Sequence, residues 1–223
     1  MENKFIHPSA VIEPGAKVAN DVIIGPFSYI GAEVTLHSGV EIKSHVVVTG
    51  KTEIEKETVV YSFAVIGEIP QDLKFNGEKT FLKIGKRNQI REHVTINVGT
   101  SGGGGVTSIG NNCLFMTGSH VAHDAKIGDN VIIANCGAVA GHCVIEDDVI
   151  IGGLSGIHQF VRIGRGAIIG AVTMVTNDVI PFGLVQGPRG KLDGLNLIGL
   201  KRKGIKRSDI MALRAAFQTL AQG

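Results

Sequence analysis

Residues 18–48 read VANDVI-IGPFSY-IGAEVT-LHSGVE-IKSHVV-V, and in that frame an aliphatic side chain falls on every sixth position: Val18, Ile24, Ile30, Leu36, Ile42 and Val48. Outward from this stretch the ladder reaches back through Ile12 to Ile6 and forward through Ile54 and Val60 to Ile66. It resumes at Ile84, Ile90 and Ile96, slips by one residue, and runs on from Ile109 through Phe115, Val121, Ile127, Ile133, Val139, Ile145, Ile151, Ile157, Ile163 and Ile169 to Val175. A second set, four residues after each aliphatic, is small or β-branched, as at Ala10, Ala16, Val22, Ser28, Val34 and Val40. A period of six matches neither a 3.6-residue helix nor the two-residue alternation of a strand. It matches a short strand followed by a corner. Three such units close a triangular coil of roughly eighteen residues, with the aliphatic side chains stacked inward about 4.8 Å apart from coil to coil.

Hexapeptide repeats of this kind resemble the left-handed parallel β-helix, and the expected fold class is therefore all-β: a left-handed parallel β-helix with a short α-helical C-terminal segment. Composition agrees, because aromatics make up 5% and Trp is absent, so core volume has to come from Ile, Val and Ala, with 31 Gly available for tight corners. Cys113, Cys136 and Cys143 form no Cys-x-x-Cys pattern, and an odd count argues against a disulfide framework. Met1-Glu2-Asn3-Lys4-Phe5 is not a signal sequence, and no apolar run approaches the roughly 18 residues of a membrane span. A cytoplasmic protein without stable membrane insertion is expected. Residues 186–223 hold eight Lys/Arg against Asp193 and Asp209, a local basic excess that suits phosphates or an acidic protein. Nothing in the motifs points to a nucleic-acid partner.

Two breaks interrupt the ladder. Residues 67–83 lack the pattern but keep its phase; residues 98–107 contain Gly102 to Gly105 and shift it by one. Both read as loops ejected from the coil, and loops on a rigid scaffold often carry function. The glycine run lacks the Gly-Lys-Ser/Thr of a phosphate loop and reads as a flexible excursion. The expected division is a β-helix over 1–182 and an irregular exit with a truncated helical segment over 183–223. There Ser208 is placed to cap a helix whose apolar face is Ile210, Leu213, Phe217 and Leu220.

Four of the eight histidines, His120, His123, His142 and His158, lie within one stretch of 39 residues (120–158). One coil above His123 is position 141 and two coils above is 159, so His142 and His158 fall one residue from its corner. All four lie outside the inward positions of their hexads, which makes them one edge of the prism and not core. Two chemistries suit such an edge. One is general-base catalysis by an imidazole that titrates near neutrality, with Asp124 beside His123. The other is a zinc ion held by three imidazoles and water.

At these residues the chain resembles the UDP-N-acetylglucosamine (UDP-GlcNAc) O-acyltransferases that open lipid A synthesis. The matching stretches are Pro70-Gln71-Asp72-Leu73-Lys74, Ile90-Arg91-Glu92-His93-Val94-Thr95-Ile96, His120-Val121-Ala122-His123-Asp124, Ala140-Gly141-His142, Ile157-His158-Gln159-Phe160 and Gly199-Leu200-Lys201-Arg202. The resemblance implies transfer of an (R)-3-hydroxyacyl chain from acyl carrier protein to the glucosamine 3-hydroxyl of UDP-GlcNAc. It implies His123 as the general base, Asp124 as its support and the Gly141 N–H as oxyanion donor. It further implies that Asp72 and Lys74, with Gln71 beside them, hold the sugar, that His120, His142, His158 and Gln159 line the substrate site, and that Asn196, Arg202 and Lys203 hold the nucleotide. Such enzymes work as homotrimers with sites between subunits, so the Asp72 loop is expected to reach a neighbour's histidine edge. No cofactor or metal is implied beyond the carrier-protein thioester as co-substrate.

Three positions depart from the family pattern: Ile198 stands in place of Glu, Lys203 in place of Arg, and Ala171 in place of the Gly at the acyl-chain floor. The extra methyl of Ala171 predicts a shortened acyl preference. The helical segment after the β-helix is short for the family, which leaves the Phe217/Leu220 face under-covered. A zinc hydratase resembling the γ-carbonic anhydrases is the alternative reading, and a non-catalytic repeat scaffold a third.

Overall fold

A computed structural model describes residues 5–187 and 195–222, and the side chains of the latter segment up to Thr219. Among the described residues the strands form three wholly parallel sheets of ten, nine and eight members. The first starts at Phe5–Ile6, the second at Val11–Ile12 and the third at Lys17–Val18, and each coil adds one strand to every sheet in turn. Most strands are two residues long with the second residue buried, as in Ile132–Ile133 and Val144–Ile145. The ladder is the reason: in each hexad the aliphatic residue and the small residue four positions on point into the prism, and the residues between them turn the corner.

The stacked core runs from Val22 to Val179, with Ile24, Ile30, Ile42, Ile66, Ile90, Phe115, Ile133 and Ile151 fully enclosed. Several buried polar residues among the small positions, Asn88 among them, bond to neighbouring coils, whereas the Ser119 hydroxyl has no partner. Asn88 donates to the carbonyls of Gly85 and Gly110 and accepts from the Cys113 N–H. The corners carry a backbone cost, because one residue at each lies in the left-handed region. Asp124 (φ 60), His142 (φ 62) and Phe160 (φ 66) form one such column, and Phe27, His45, Phe63 and His93 start another.

Register shows where the two loops leave. Val47 pairs with Val65 eighteen residues on, but Val65 pairs with Thr95 and Thr95 with His120, separations of thirty and twenty-five. The first excursion is thus a whole number of hexads and the second is one residue over. Spacing of eighteen then holds through His120, Ala138, Gly156 and Met174.

Two features differ from the sequence reading. The β-helix does not end at residue 182, beside Pro181: Leu184–Val185 adds a last strand to the ten-stranded sheet beside Ile168–Ile169. Its partner spacing is sixteen instead of eighteen, because Val179 already bridges Ile163 and the final turn is cut short. Ser208 does not cap the helix. Contacts separate a second unit, Pro188–Gly223, from the β-helix unit, and it holds two helices, α1 (Leu197–Arg202) and α2 (Arg207–Gln222). α2 begins one residue before Ser208, and the Lys206 carbonyl accepts from Asp209 and Ile210. Ile210 is buried, Phe217 half-buried and Leu213 exposed, while the Leu220 side chain lies outside the described residues. No described helix is long and apolar enough to cross a membrane.

The inward–outward division is directly testable. Ile133→Ala is expected to cost about 2–5 kcal/mol in chemical denaturation, and Lys126→Ala, whose side chain points outward, less than about 0.5 kcal/mol. Equal losses for the two would contradict the assignment of faces.

Candidate active site

His123 lies just past the strand His120–Val121, at the corner where the chain leaves the nine-stranded sheet. It does not point into the prism, yet it is 8% exposed, and the neighbouring Asp124 side chain is fully enclosed. The glycine-run excursion covers them. His123 Nδ1 is 2.8 Å from Asp124 Oδ2, which leaves Nε2 as the free ring nitrogen. The same carboxylate accepts from the Thr100 backbone N–H at 2.9 Å and from the Thr100 hydroxyl at 2.6 Å. The Asp124 N–H donates to Thr107 Oγ1 at 2.8 Å.

The excursion is therefore not the loose loop read from its glycines. A 3-10 turn, Ser101–Gly103, packs so tightly on Asp124 that a Cβ on Gly103 would sit 2.0 Å from the carboxyl carbon, and one on Gly99 2.8 Å from Oδ1. Here glycine is required for close approach. Gly141 has the same constraint one coil above, where a Cβ would come within 2.6 Å of His123 Cε1. Among the described residues no hydrogen bond occupies the Gly141 N–H.

The other histidines converge as the coil arithmetic required. The His142 ring meets His123 edge-on at 5.0 Å and stacks flat on Phe160 at 4.5 Å. Its Nδ1 is 3.9 Å from Asp124 Oδ2. His120 faces outward from the nine-stranded sheet, and its Nδ1 is 2.7 Å from Thr95 Oγ1 on the preceding coil. His158 is exposed, with Nδ1 3.2 Å from the Gln159 carbonyl. His120, His123, Gly141, His158 and Gln159 line one cavity of about 460 Å³ together with Gln71, Asn97 and Met174. Asn97 Oδ1 is buried there without a hydrogen-bond partner.

Asp72 and Lys74 line a second cavity of about 410 Å³ with His142, Phe160 and the turn Thr100–Gly102. The Asp72 carboxylate also accepts from the Lys74 N–H, a local turn. In both cavities the 67–83 loop lies against the histidine edge of its own chain. Ala171 stands at a different corner, above Gly152, and does not line the His123 cavity. Asn196, Arg202 and Lys203 lie in the second unit. The Asn196 side chain caps α1 by accepting from Gly199 N–H at 2.8 Å, and Arg202 and Lys203 are exposed at the other end of that helix.

Thr95, Asn97, Thr100 and Thr107 were not legible as site residues. Thr95 lies in a stretch that matches the family but carries no role there, and Asn97, Thr100 and Thr107 are signalled only by lying in or beside the 98–107 break, where a Thr or Asn is ordinary in a β-helix.

Burial is the main cause that holds the His120 pKa below its usual 6.5, and the nearby His123 adds to it. His120 is thus kept neutral beside the dyad. Burial also pushes the Cys143 thiol, next to His158, up to about 11, so it is no candidate nucleophile. His123, Asp124 and His142 are close enough together to hold a metal ion in principle. The Asp124 carboxylate, however, already accepts three hydrogen bonds and is fitted to orienting an imidazole.

Comparison with known proteins now decides among the readings. A profile described as UDP-N-acetylglucosamine O-acyltransferase, domain 2, matches residues 178–223, and one for the bacterial transferase hexapeptide matches 15–50 and 107–141. An acyl-[acyl-carrier-protein]–UDP-N-acetylglucosamine O-acyltransferase of Rhizobium johnstonii is 47% identical over 222 residues, all of this chain and 82% of that protein. The chain belongs to the UDP-N-acetylglucosamine O-acyltransferase family. A relative of the same name from Paracoccus denitrificans is 68% identical over 165 residues, covering 74% of this chain and 63% of that one. The solved enzyme of Acinetobacter baumannii superposes with a TM-score of 0.82 at 43% identity, covering 96% of this chain and 83% of its own. The fold is the left-handed parallel β-helix expected from the hexads. None of these relatives carries the name of a zinc hydratase.

The neutral His120 has a consequence for stability. Unfolded, this ring takes a proton near pH 6.5; folded, it resists until lower pH. The unfolded state therefore binds more protons below about 6.5, and stability is lost as pH falls through that range. His120→Gln is expected to lose less thermal stability than the parent between about pH 7 and 5; an identical loss would contradict the burial assigned to His120.

Proposed function

We propose that this chain transfers an (R)-3-hydroxyacyl group from acyl carrier protein to the glucosamine 3-hydroxyl of UDP-GlcNAc, the opening step of lipid A synthesis, with His123 as general base. The observation that carries the mechanism is the buried His123–Asp124 pair at 2.8 Å, which leaves Nε2 free, with His123 and Gly141 lining one cavity. A sugar hydroxyl is a poor nucleophile until a base takes its proton. Asp124 holds Nδ1–H, fixing the tautomer that leaves Nε2 able to accept. The hydroxyl oxygen attacks the thioester carbonyl, its proton passes to Nε2, and the developing oxyanion is met by the Gly141 N–H. Collapse of the tetrahedral intermediate expels the carrier-protein thiolate, which His123 reprotonates. A thioester is already activated, so neither a metal nor a covalent enzyme intermediate is called for.

Substrate placement follows the two cavities. Asp72 and Lys74 on the 67–83 loop hold the sugar beside His142, and Gln71, His120, His158 and Gln159 border the reacting centre. Asn196, Arg202 and Lys203 hold the diphosphate side; Lys203 offers a point charge where an Arg would offer a fork. Met174, which lines the His123 cavity, narrows the room for the acyl tail. Assembly is as a homotrimer in the cytoplasm. The outward row of the ten-stranded sheet supports the trimer, since Ile23, Val59, Leu114, Ile132, Ile150 and Ile168 make it mostly apolar, broken by Glu41 and Gln89, whereas Lys17, Glu53, Lys83, Lys126 and Arg162 make the eight-stranded face charged.

The test is formation of acylated UDP-GlcNAc from hydroxyacyl carrier protein, followed by mass spectrometry. The parent chain is expected to make the product, and His123→Ala to do so about 10²–10⁴-fold more slowly. A near-normal rate for His123→Ala would exclude the base. Stoichiometric zinc on the purified protein with carbon dioxide hydration would favour the alternative.

A further inference from the structure

Asp124 Oδ2 lies within reach of two imidazoles, His123 Nδ1 at 2.8 Å and His142 Nδ1 at 3.9 Å. Only the first pairing leaves His123 oriented as a base. The corner backbone does not settle the choice alone, because a carboxylate on one rotatable stem can turn between them. What fixes it is the excursion 98–107. The Thr100 hydroxyl donates to Oδ2, the very oxygen that holds His123, and the Thr100 N–H donates to Oδ1. With both oxygens engaged the carboxylate plane is set. Gly99 and Gly103 close the space around it, so that no water can take the place of either donor without displacing backbone.

Thr100 is itself held. Its carbonyl accepts from Gly103 and Gly105, and it is 6% exposed. The next residue, Ser101, donates through N–H and hydroxyl to Glu78 Oε1 at 3.3 and 3.1 Å. Glu78 belongs to the other ejected loop, the one that bears Asp72 and Lys74. The two breaks in the ladder are thus tied to each other at one end and to the dyad at the other.

We propose that Thr100 is a positioning residue of this enzyme: its hydroxyl commits Asp124 to His123 and away from His142, and the glycine-run excursion exists to deliver that hydroxyl. The inference rests on the reading of His123 as general base for its kinetic consequence, but its structural half does not. Carboxylate hydrogen bonds are shorter and stronger than neutral ones, and a buried carboxylate that loses a donor seeks another. Here the nearest other donor is His142.

The experiment compares Thr100→Val, which keeps the shape and removes the hydroxyl, with Thr100→Ser, which keeps the hydroxyl. Two readouts are taken on the full chain: the acyl-transfer rate, split into kcat and KM for UDP-GlcNAc, and the low-field proton resonance of a histidine N–H bonded to carboxylate, assigned to His123 by its loss in His123→Ala. Thr100→Val is expected to lower kcat about tenfold with KM nearly unchanged, the rate equivalent of one such hydrogen bond. Its His123 resonance is expected to shift or vanish, and Thr100→Ser to restore both. The proposal is overturned if Thr100→Val retains the resonance, or if Thr100→Ser is as impaired as Thr100→Val. The resonance needs no substrate, so it decides the matter even if the chain fails to acylate UDP-GlcNAc, a result that would count against the reaction and not against the clamp. If Thr100→Val does not fold, Thr100→Ala with the same two readouts replaces it.

Discussion

A coil of fixed length, stacked in register on its neighbours, is the constraint on which the rest of this molecule depends. With eighteen residues per turn, the same six positions, two per hexad, face inward in every coil, and every other side chain is assigned to a face or a corner. Inward positions take the aliphatic ladder, and the stack of Ile90, Phe115, Ile133 and Ile151 is its direct product. Residues that do not fit the coil have only one place to go, which is out. That is why the two stretches that break the pattern become the two loops over the site.

The same constraint explains how a β-helix without a natural pocket acquires one. Its faces are flat, and its corners expose what they carry. Asp124 and His142 sit at successive left-handed corners, with His123 one residue ahead. An imidazole–carboxylate pair left on an open corner would be solvated and mobile. The 98–107 excursion folds back over that corner and converts an exposed edge into a buried dyad, while the absent side chains of Gly99, Gly103 and Gly141 provide the clearance. Burial strengthens the hydrogen bonds around Asp124 and, one strand away, keeps His120 uncharged.

How much of this could be read beforehand divides along the same line. The coiled architecture and the convergence of His120, His123, His142 and His158 follow from phase, which is a property of the sequence, and the pairing of His123 with Asp124 from their adjacency and the family resemblance. The clamp does not. Thr100 and Thr107 are unremarkable polar residues in a loop, and Gly102 to Gly105 read as looseness, because glycine required for close contact and glycine tolerated in a mobile loop look alike in one sequence. Phase also could not show that the Asp72 loop folds back to line both cavities beside the histidine edge. The shortened last coil escaped for a related reason: Pro181 signals an end, and only the bridge at Val179 reveals that one more strand follows.

The central claim is that the buried dyad presents His123 Nε2 to the hydroxyl that is acylated. The most direct measurement is a crystal structure of this chain with UDP-GlcNAc bound. The account predicts the glucosamine 3-hydroxyl within about 2.6–3.2 Å of His123 Nε2, with the sugar beside Asp72 and His142. A sugar bound with that hydroxyl turned away from His123, or a metal ion occupying Nε2, would contradict it.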